Sequence, residues 1–462
     1  MTALDSAGLS LQLAQHAMQV SFTSLPASTV HATKRALLDA VGVISAASGL
    51  APEARPFIDL AVAAGGKPSS RILGTAEFCP PAAAALANGA LSHALDYEDA
   101  FDAAPVHPNA SLIPAVLALA QTRGPICGGE LIAAVAVGCD VACRMGLSLR
   151  QPLEQNGWYP PPILGAVGAV AGAARLLRLS PRQLLDAWSL LLLQNSCSGE
   201  IMHSPDSIIR AVREAFPAQA AVNCVLLAEA GIQGFSAPLE GVAGFFRLFV
   251  DGNYSVKELL RDLGQRWYID ALSFKPWPSC RGTHAAIEAA LVIRSQPAFH
   301  VGQVGQIIIE GGTVQAMLAE PMSRKAAPAT AIEAKFSLPF TVALALHRGA
   351  VTLDSFDAGS REDPELRAIA GRCLWRHRPD WGRDRATSGA LEIHLHGGAR
   401  LRHEVPDALG CPARPLDDGQ LLAKFEDCLS RASQPLSGAQ ARSLATRILA
   451  LEDEPDAGAI FS

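Results

Sequence analysis

The stretch LDYEDAFDAAPVHPNAS, residues 95–111, carries four acids, one histidine and two prolines in a chain otherwise rich in alanine and leucine. Dense acids in a loop ordinarily do no more than face solvent, and that reading serves for Glu98 and Asp99. Asp96 differs. It follows the apolar run AAAALANGALSHAL and is placed to point inward. His107 precedes Pro108 and Asn109, at the start of a predicted helix, ASLIPAVLALA. The positive end of that helix favours a neutral imidazole and attracts anions.

Three further segments place reactive side chains in restricted settings. In GWYPPP (157–162), Trp158 and Tyr159 suit a core, but a phenol before three prolines is also held rigidly enough to serve as a proton donor. In IIRAVRE (208–214), Arg210 and Arg213 share one helix face. They either clamp substrate carboxylates or pair with Asp206 and Glu214 on the surface. In SFKPWPSCRGTHAAIEAAL (273–291), Lys275, Cys280, Arg281 and His284 fall within ten residues around two prolines. A functional role explains this cationic cluster better than a bland one.

Several motifs are missing. There is no G-x-x-x-x-G-K-[ST] loop, no G-x-S-x-G elbow and no H-E-x-x-H. No predicted strand runs into G-x-G-x-x-G, so a dinucleotide fold has no support. Ten cysteines are scattered without a C-x-x-C pair and are expected to be reduced thiols in a cytosolic protein. Cys139 and Cys143 lie i, i+4 on a predicted helix, where small buried residues are a better reading than metal ligands.

The elements that must carry these residues change character along the chain. Residues 1–265 read mostly as helices, among them 130–149 and 180–194. In the latter, Ser180, Pro181 and Gln183 make a capping box with proline at the first helical position. Ser255 and Glu258 repeat the device. GAVGAVAGAARLL (165–177) puts small residues on nearly every face, which suits closely approaching helices deep in a core. Beyond about 268, QIIIE (306–310) reads as a strand, GTHAAIEAALVIR (282–294) as a helix, and ALEIHLHGGARLRHEV (390–405) as a β-hairpin turning at Gly397-Gly398. The C-terminal segments return to amphipathic helices and are expected to pack back on the first part. The expected fold is mostly α: an all-helical domain from residues 1–268 together with 405–462, and a smaller α+β domain from 269–404. RHRPDWGRDR (376–385) reads as a solvated basic loop.

A length of 462 residues favours two domains. With 49% hydrophobic and 18% charged residues, the chain buries a large interior. The 38 Lys+Arg and 44 Asp+Glu leave a formal charge of −6, with no footprint for nucleic acid or an anionic membrane. The N-terminus shows no basic, then apolar, leader, so a cytoplasmic location is expected. The apolar stretch 156–174 holds three prolines and ends before Arg175, which fits a buried helix better than a membrane span.

Taken together, the segments resemble the MmgE/PrpD family, whose members include 2-methylcitrate dehydratase, cis-aconitate decarboxylase and iminodisuccinate epimerase. The resemblance runs over nearly the whole chain. It lies in NGALSHALDYEDAF…HPNASLIPAVLALA, GWYPPPILGAVGAVAGAARLL, LLAEAGIQGFSAPLEGVAGF, KPWPSCRGTHAAIEAAL and AKFSLPFTVALAL, in that order. It implies a helical domain plus a smaller α+β domain, a site between them, no metal or organic cofactor, and a homodimer. By position, Asp96 matches the first acid of the family's D-F-D-D-T motif and His107 its His-Pro histidine. Lys275 and His284 match the lysine and histidine that open and close its K-x-x-P segment. All four are then expected to line the pocket. The departures are Ala100 for the motif's threonine, Tyr159 for a G-W-H histidine, and Arg210 and Arg213 for a lysine and a histidine of the decarboxylase. Cys280 stands for a second histidine of the K-x-x-P segment.

The family's chemistry implies proton loss beside a carboxylate, with a base near the carbon and cations to hold enolate charge. Tyr159 and Lys275 are the expected proton-transfer pair, provided the lysine is lowered by desolvation or nearby cations. Asp96 and His107 are the other catalytic candidates. Arg210, Arg213, Cys280, Arg281 and His284 are the expected contacts to a small polycarboxylate. Losing the histidine at position 159 removes one acid for leaving-group departure, so epimerisation of an iminodisuccinate-like amino-dicarboxylate is the first expectation. The alternatives are a lyase, dehydratase-like or decarboxylase-like, and a non-catalytic helical binding protein.

Overall fold

The structure, a computed structural model, describes residues 8–204 and 206–462. Residues 1–7, which belong to the stretch read for a leader, lie outside the described residues. The first part is a stack of helices whose centre is formed by Pro81–Ala94, Pro108–Arg123, Gly128–Ser148, Pro160–Leu176 and Ala215–Glu229. Every residue of Pro160–Leu176 is buried. It meets Gly128–Ser148 backbone to backbone, as its small residues predict. A Cβ on Gly168 would stand 2.3 Å from the Gly138 carbonyl oxygen, so alanine there forces the helices apart at a cost of about 1–3 kcal/mol. Gly128–Ser148 is long and apolar enough to cross a membrane, yet its most apolar window is 94% buried within the fold. It is a core helix of this stack. All ten cysteines are free, and Cys139 and Cys143 are buried in it.

The capping box at Ser180 and Gln183 forms as read and opens Pro181–Leu192. Ser255 also caps, but the helix it opens runs only over Val256–Leu259.

The second part is built on a four-stranded sheet in the order Cys373–His377, Val304–Gly311, Gly389–Leu395, Arg400–Val405. The first pair is parallel and the others are antiparallel, with Ile307 opposite both Cys373 and Ile393. Leu391, Ile393 and Leu395 are buried while Glu392 and His394 face outward, which is the alternation read for the hairpin. The helix His284–Arg294 packs on the last two strands, and Leu338–Arg348 packs on that helix.

The basic run 376–385 departs from the solvated-loop reading. Arg376 lies in a strand and pairs with Glu310 at 2.8 Å; Arg378 pairs with the same carboxylate at 3.1 Å. Trp381 is buried, with the Arg378 and Arg385 guanidinium groups over its ring. Glu310, buried on the central strand, recruits the arginines because an unpaired buried carboxylate is costly.

The C-terminal helices Asp418–Ser430 and Gly438–Leu449 both pack on Ala27–Leu50 of the first part. Lys424 reaches from the former to three groups: the Tyr97 carbonyl at 2.7 Å, the Lys275 carbonyl at 3.0 Å and the Asp39 carboxylate at 2.6 Å. One tail side chain therefore ties together the backbone of the 95–111 stretch and the backbone of the 273–291 stretch.

Candidate active site

The cleft that these segments enclose has a volume of about 440 Å³. One wall comes from residues 96–107, 159–161, 202 and 210; the other comes from 280–282, 313–318, 336, 383 and 386. Asp96, His107, Tyr159, Arg210, Cys280 and Arg281 line it. Lys275, Arg213 and His284 do not, and each proves to act from behind a lining residue.

Asp96 ends the turn after Pro81–Ala94. Its φ is 50°, in the left-handed region that aspartate tolerates better than most residues. Its N–H donates to the His93 carbonyl at 2.7 Å. The reversal turns the carboxylate onto Lys275, whose Nζ lies 2.6 Å from Asp96 Oδ1 and 3.6 Å from Glu98 Oε2. Glu98 Oε1 in turn meets His93 Nδ1 at 2.5 Å and His107 Nδ1 at 3.0 Å. Glu98 and Asp99 are thus corrected from solvated acids to buried ones. Glu98 is the hub of the network, and Asp99 accepts from the Asn109 amide.

Charge in this network is settled by pairing. Burial alone would raise Asp96 and Glu98, but Lys275 and the histidines outweigh it and hold both carboxyls down. Burial alone would lower Lys275, yet Asp96 and Glu98 hold it above its ordinary value. The expected lysine base is therefore a fully buried ammonium, and its role is to fix Asp96. No cation of the described residues pairs with Asp99, and of the cations only the more distant Lys424 pulls its carboxyl down. Burial, Asp39 and Glu98 push it up to about 8, against the donor bond from Asn109. The donor atoms of His93, Asp96 and Glu98 lie within 4.8 Å of one another, close enough for a metal ion. The Lys275 ammonium already sits on the two carboxylates.

His107 is the N-cap residue of Pro108–Arg123 and is part-buried. Its Nδ1 also lies 2.9 Å from the Asp99 carbonyl. With Nδ1 engaged, Nε2 is the nitrogen left for the cleft.

On the facing side, Tyr159 precedes Pro160, Pro161 and Pro162, the first turn of a helix, where a missing N–H costs nothing. The Tyr159 N–H donates to the Cys197 carbonyl at 2.8 Å. Its hydroxyl oxygen accepts from Arg213 Nη1 at 2.9 Å and Arg210 Nη2 at 3.2 Å. The two arginines are buried rather than surface-paired, and 209–212 is a short 3-10 turn. Arg213 is held by Glu214 at 3.0 Å, which accepts from Ser111 Oγ at 2.5 Å. The Arg210 guanidinium carbon lies 3.5 Å from the centre of the Phe336 ring. Arg210 Nε and Arg213 Nη2 are buried donors without a partner.

Arg281 and His284 form an anchor. Arg281 donates to the Leu409 carbonyl at 2.9 Å, the Ala408 carbonyl at 3.1 Å and His284 Nδ1 at 3.1 Å, and pairs with Asp102 at 3.3 Å. Four of its five N–H groups are thereby engaged. Burial, Arg281 and Lys275 hold His284 well below the usual histidine range, so Nδ1 accepts and Nε2 donates to the Ser279 carbonyl at 3.1 Å. His284 orients Arg281 and does not reach the cleft. Cys280 does line it, as a thiol that burial and Asp96 push up.

Sequence reasoning missed His93, Asp39, Phe336 and Lys424; Glu214, an expected surface partner of the arginines, pairs with Arg213 in the interior instead. His93 lay in the quoted SHALDYED, three residues before Asp96, which was a usable signal. Lys424 gave none, since a lysine on an amphipathic tail helix reads as solvated.

Comparison with known proteins agrees with this architecture. Residues 11–257 match the MmgE/PrpD N-terminal domain and residues 277–449 the MmgE/PrpD C-terminal domain. The chain belongs to the MmgE/PrpD family. It is 24% identical to a cis-aconitate decarboxylase-like protein of Aspergillus oryzae over 100% of this chain and 99% of that one. It is 23% identical to a cis-aconitate decarboxylase of Aspergillus terreus, covering 90% and 88%. It is 26% identical to the cis-aconitate decarboxylase of Mus musculus, covering 84% and 79%. These relatives point to a lyase, the alternative in the sequence reading, ahead of the epimerase placed first there.

Proposed function

We propose that this protein is a lyase that decarboxylates a small unsaturated polycarboxylate of the cis-aconitate kind. The observation that carries the proposal is the Tyr159 hydroxyl, which accepts from both Arg210 and Arg213 beside the cleft that holds Asp96 and His107. The unpartnered Nε–H of Arg210, the one of the two arginines that lines the cleft, suits a carboxylate. In the reaction, the bond from carbon to one carboxylate breaks and CO2 leaves. The electron pair moves across the double bond to the carbon next to a second carboxylate. That carbon then takes a proton. Arg210, in the cleft wall, stabilises the developing enolate, and Arg213 acts through the Tyr159 hydroxyl. With both phenol lone pairs engaged by guanidinium donors, the Tyr159 O–H is available to deliver the proton.

Decarboxylation needs no base at the start, and this favours it here. Lys275 is locked as an ammonium against Asp96 and Glu98. A second reading, epimerisation, is favoured by one observation: His107 and Tyr159 line the same cleft, and an epimerase needs two proton-transfer groups.

Proton NMR in deuterated buffer, with cis-aconitate, 2-methylcitrate and iminodisuccinate supplied separately, tests both. The proposal expects a new vinyl CH2 signal from cis-aconitate, CO2 release and one deuterium in the product. Deuterium entering an intact α-carbon of iminodisuccinate, without CO2, would replace it by the epimerase. Water loss from 2-methylcitrate would make the protein a dehydratase.

A further inference from the structure

Behind the Arg210–Phe336 stack lies a second, much smaller hollow of about 20 Å³. Met202, Arg210 and Phe336 line both it and the main cleft. On its far side stand Arg324, Lys325 and Glu333. Its volume is that of one oxygen-sized group.

The charges around this annex do not balance. Glu333 is its acid, and both carboxylate oxygens are already used: Arg324 Nε lies 2.6 Å from Oε1 and the Ala329 N–H donates to Oε2 at 2.9 Å. Lys325 is buried, and no described carboxylate lies within ion-pairing distance of it. Its one hydrogen-bond acceptor among the described residues is the Phe336 carbonyl, at 2.9 Å. Arg210 is 9% exposed, and its Nε has no partner among the described residues. Two buried cations without an anion, one on each side of a water-sized space, are what an anionic ligand would complete.

We infer that this annex is an anion subsite, in which Arg210 and Lys325 together take an oxygen of the substrate's third carboxylate, so that the protein selects tricarboxylates over dicarboxylates. Met202, an unbranched side chain shared by both hollows, is the movable part of the wall. The inference rests on the proposed cis-aconitate-like substrate, itself a tricarboxylate, and adds the side chains that recognise its third carboxylate. Lys325 is a specificity residue, remote from the bond that breaks. Its charge is also conditional: burial, then Arg210 and Arg324, lower it to about 8 against the pull of Glu333 and Cys280.

Isothermal titration of the full chain with unreactive propane-1,2,3-tricarboxylate and its dicarboxylate counterpart pentanedioate tests the subsite. The wild type is expected to prefer the tricarboxylate by about ten-fold or more, the scale of one charged hydrogen bond. Lys325→Met should remove that preference by weakening tricarboxylate binding alone. A loss shared equally by both ligands, or no loss, overturns the inference. A pH series on the wild type needs no substitution. The preference should shrink as pH rises through about 8, where Lys325 loses its charge, and a preference constant from pH 7 to 9 overturns it. CO2 release separates the two ideas. Turnover of cis-aconitate that is indifferent to Lys325 leaves the lyase standing and sinks the subsite. Lys325-dependent tricarboxylate binding without turnover does the reverse.

Discussion

The two sides of the cleft solve the problem of buried charge in opposite ways. On the Asp96 side, Lys275, Asp96, Glu98, His93 and His107 pair acid with base, so each charge faces one of opposite sign, although Asp96 Oδ2 and His93 Nε2 are left without a hydrogen bond among the described residues. On the Tyr159 side, Arg210 and Arg213 meet a phenol and the single carboxylate of Glu214, and two of their donors stay unpartnered. A network of matched charges holds geometry. A cationic surface with idle donors is poised for an anion. The comparison teaches that the densest cluster of titratable residues in the sequence is the scaffold, and that the sparser arginine pair is where substrate charge is met.

That contrast breaks first at Lys275. Lys275→Met leaves two buried carboxylates uncompensated and should destabilise the protein by about 3–5 kcal/mol. Urea unfolding at pH 7 measures it, and a loss under about 1 kcal/mol would mean that the Asp96 side is not held by charge. Tyr159→Phe should act on the other coordinate. We expect kcat to fall by on the order of 10²–10⁴ with much less effect on unfolding; an unchanged kcat would remove the phenol from the chemistry. Arg210→Ala should raise KM for a polycarboxylate by roughly 10–100-fold, the value of a charged hydrogen bond. A fall in kcat is expected beside it, because the same guanidinium holds Tyr159, and an unchanged KM would remove Arg210 from binding.

Asp99 sharpens the comparison by pH. Its carboxyl is pushed up to about 8, against about 3.9 in an unfolded chain. Between those values the folded protein keeps a proton that the unfolded chain releases, so this group's stabilising contribution declines as pH rises. Asp99→Asn keeps an acceptor for Asn109 and removes the titration. The variant should gain on the wild type by about 1.4 kcal/mol between pH 6 and pH 7 in paired unfolding curves; parallel curves would refute a protonated Asp99. The smallest effect is expected at Cys280, a neutral thiol on the cleft wall. Cys280→Ser should change kcat/KM by less than about three-fold.

Much of the site was legible in the sequence. Asp96, His107, Tyr159, Arg210, Cys280 and Arg281 were all singled out and all line the cleft. The signal was local: a turn after an apolar helix, a histidine before proline, a phenol before three prolines. Roles were less legible. Lys275 and His284 were expected in the pocket and Arg213 among its contacts, yet each stands behind a lining residue. The difference depends on which neighbour the fold brings to each side chain, and those neighbours lie up to 179 positions away.

The sequence by itself determined the helical texture of the first part, the hairpin near residue 397, the close approach at Gly168 and the family, because periodicity, capping and small-residue spacing are local properties. Only the tertiary structure decided which charges are partnered. Whether Lys275 is a base or an anchor depends on Asp96 and Glu98 lying within a few ångströms. Whether Arg210 and Lys325 are idle depends on no carboxylate having folded against them. Proximity of distant segments sets the local field, and the field sets the protonation state and the work each group can do.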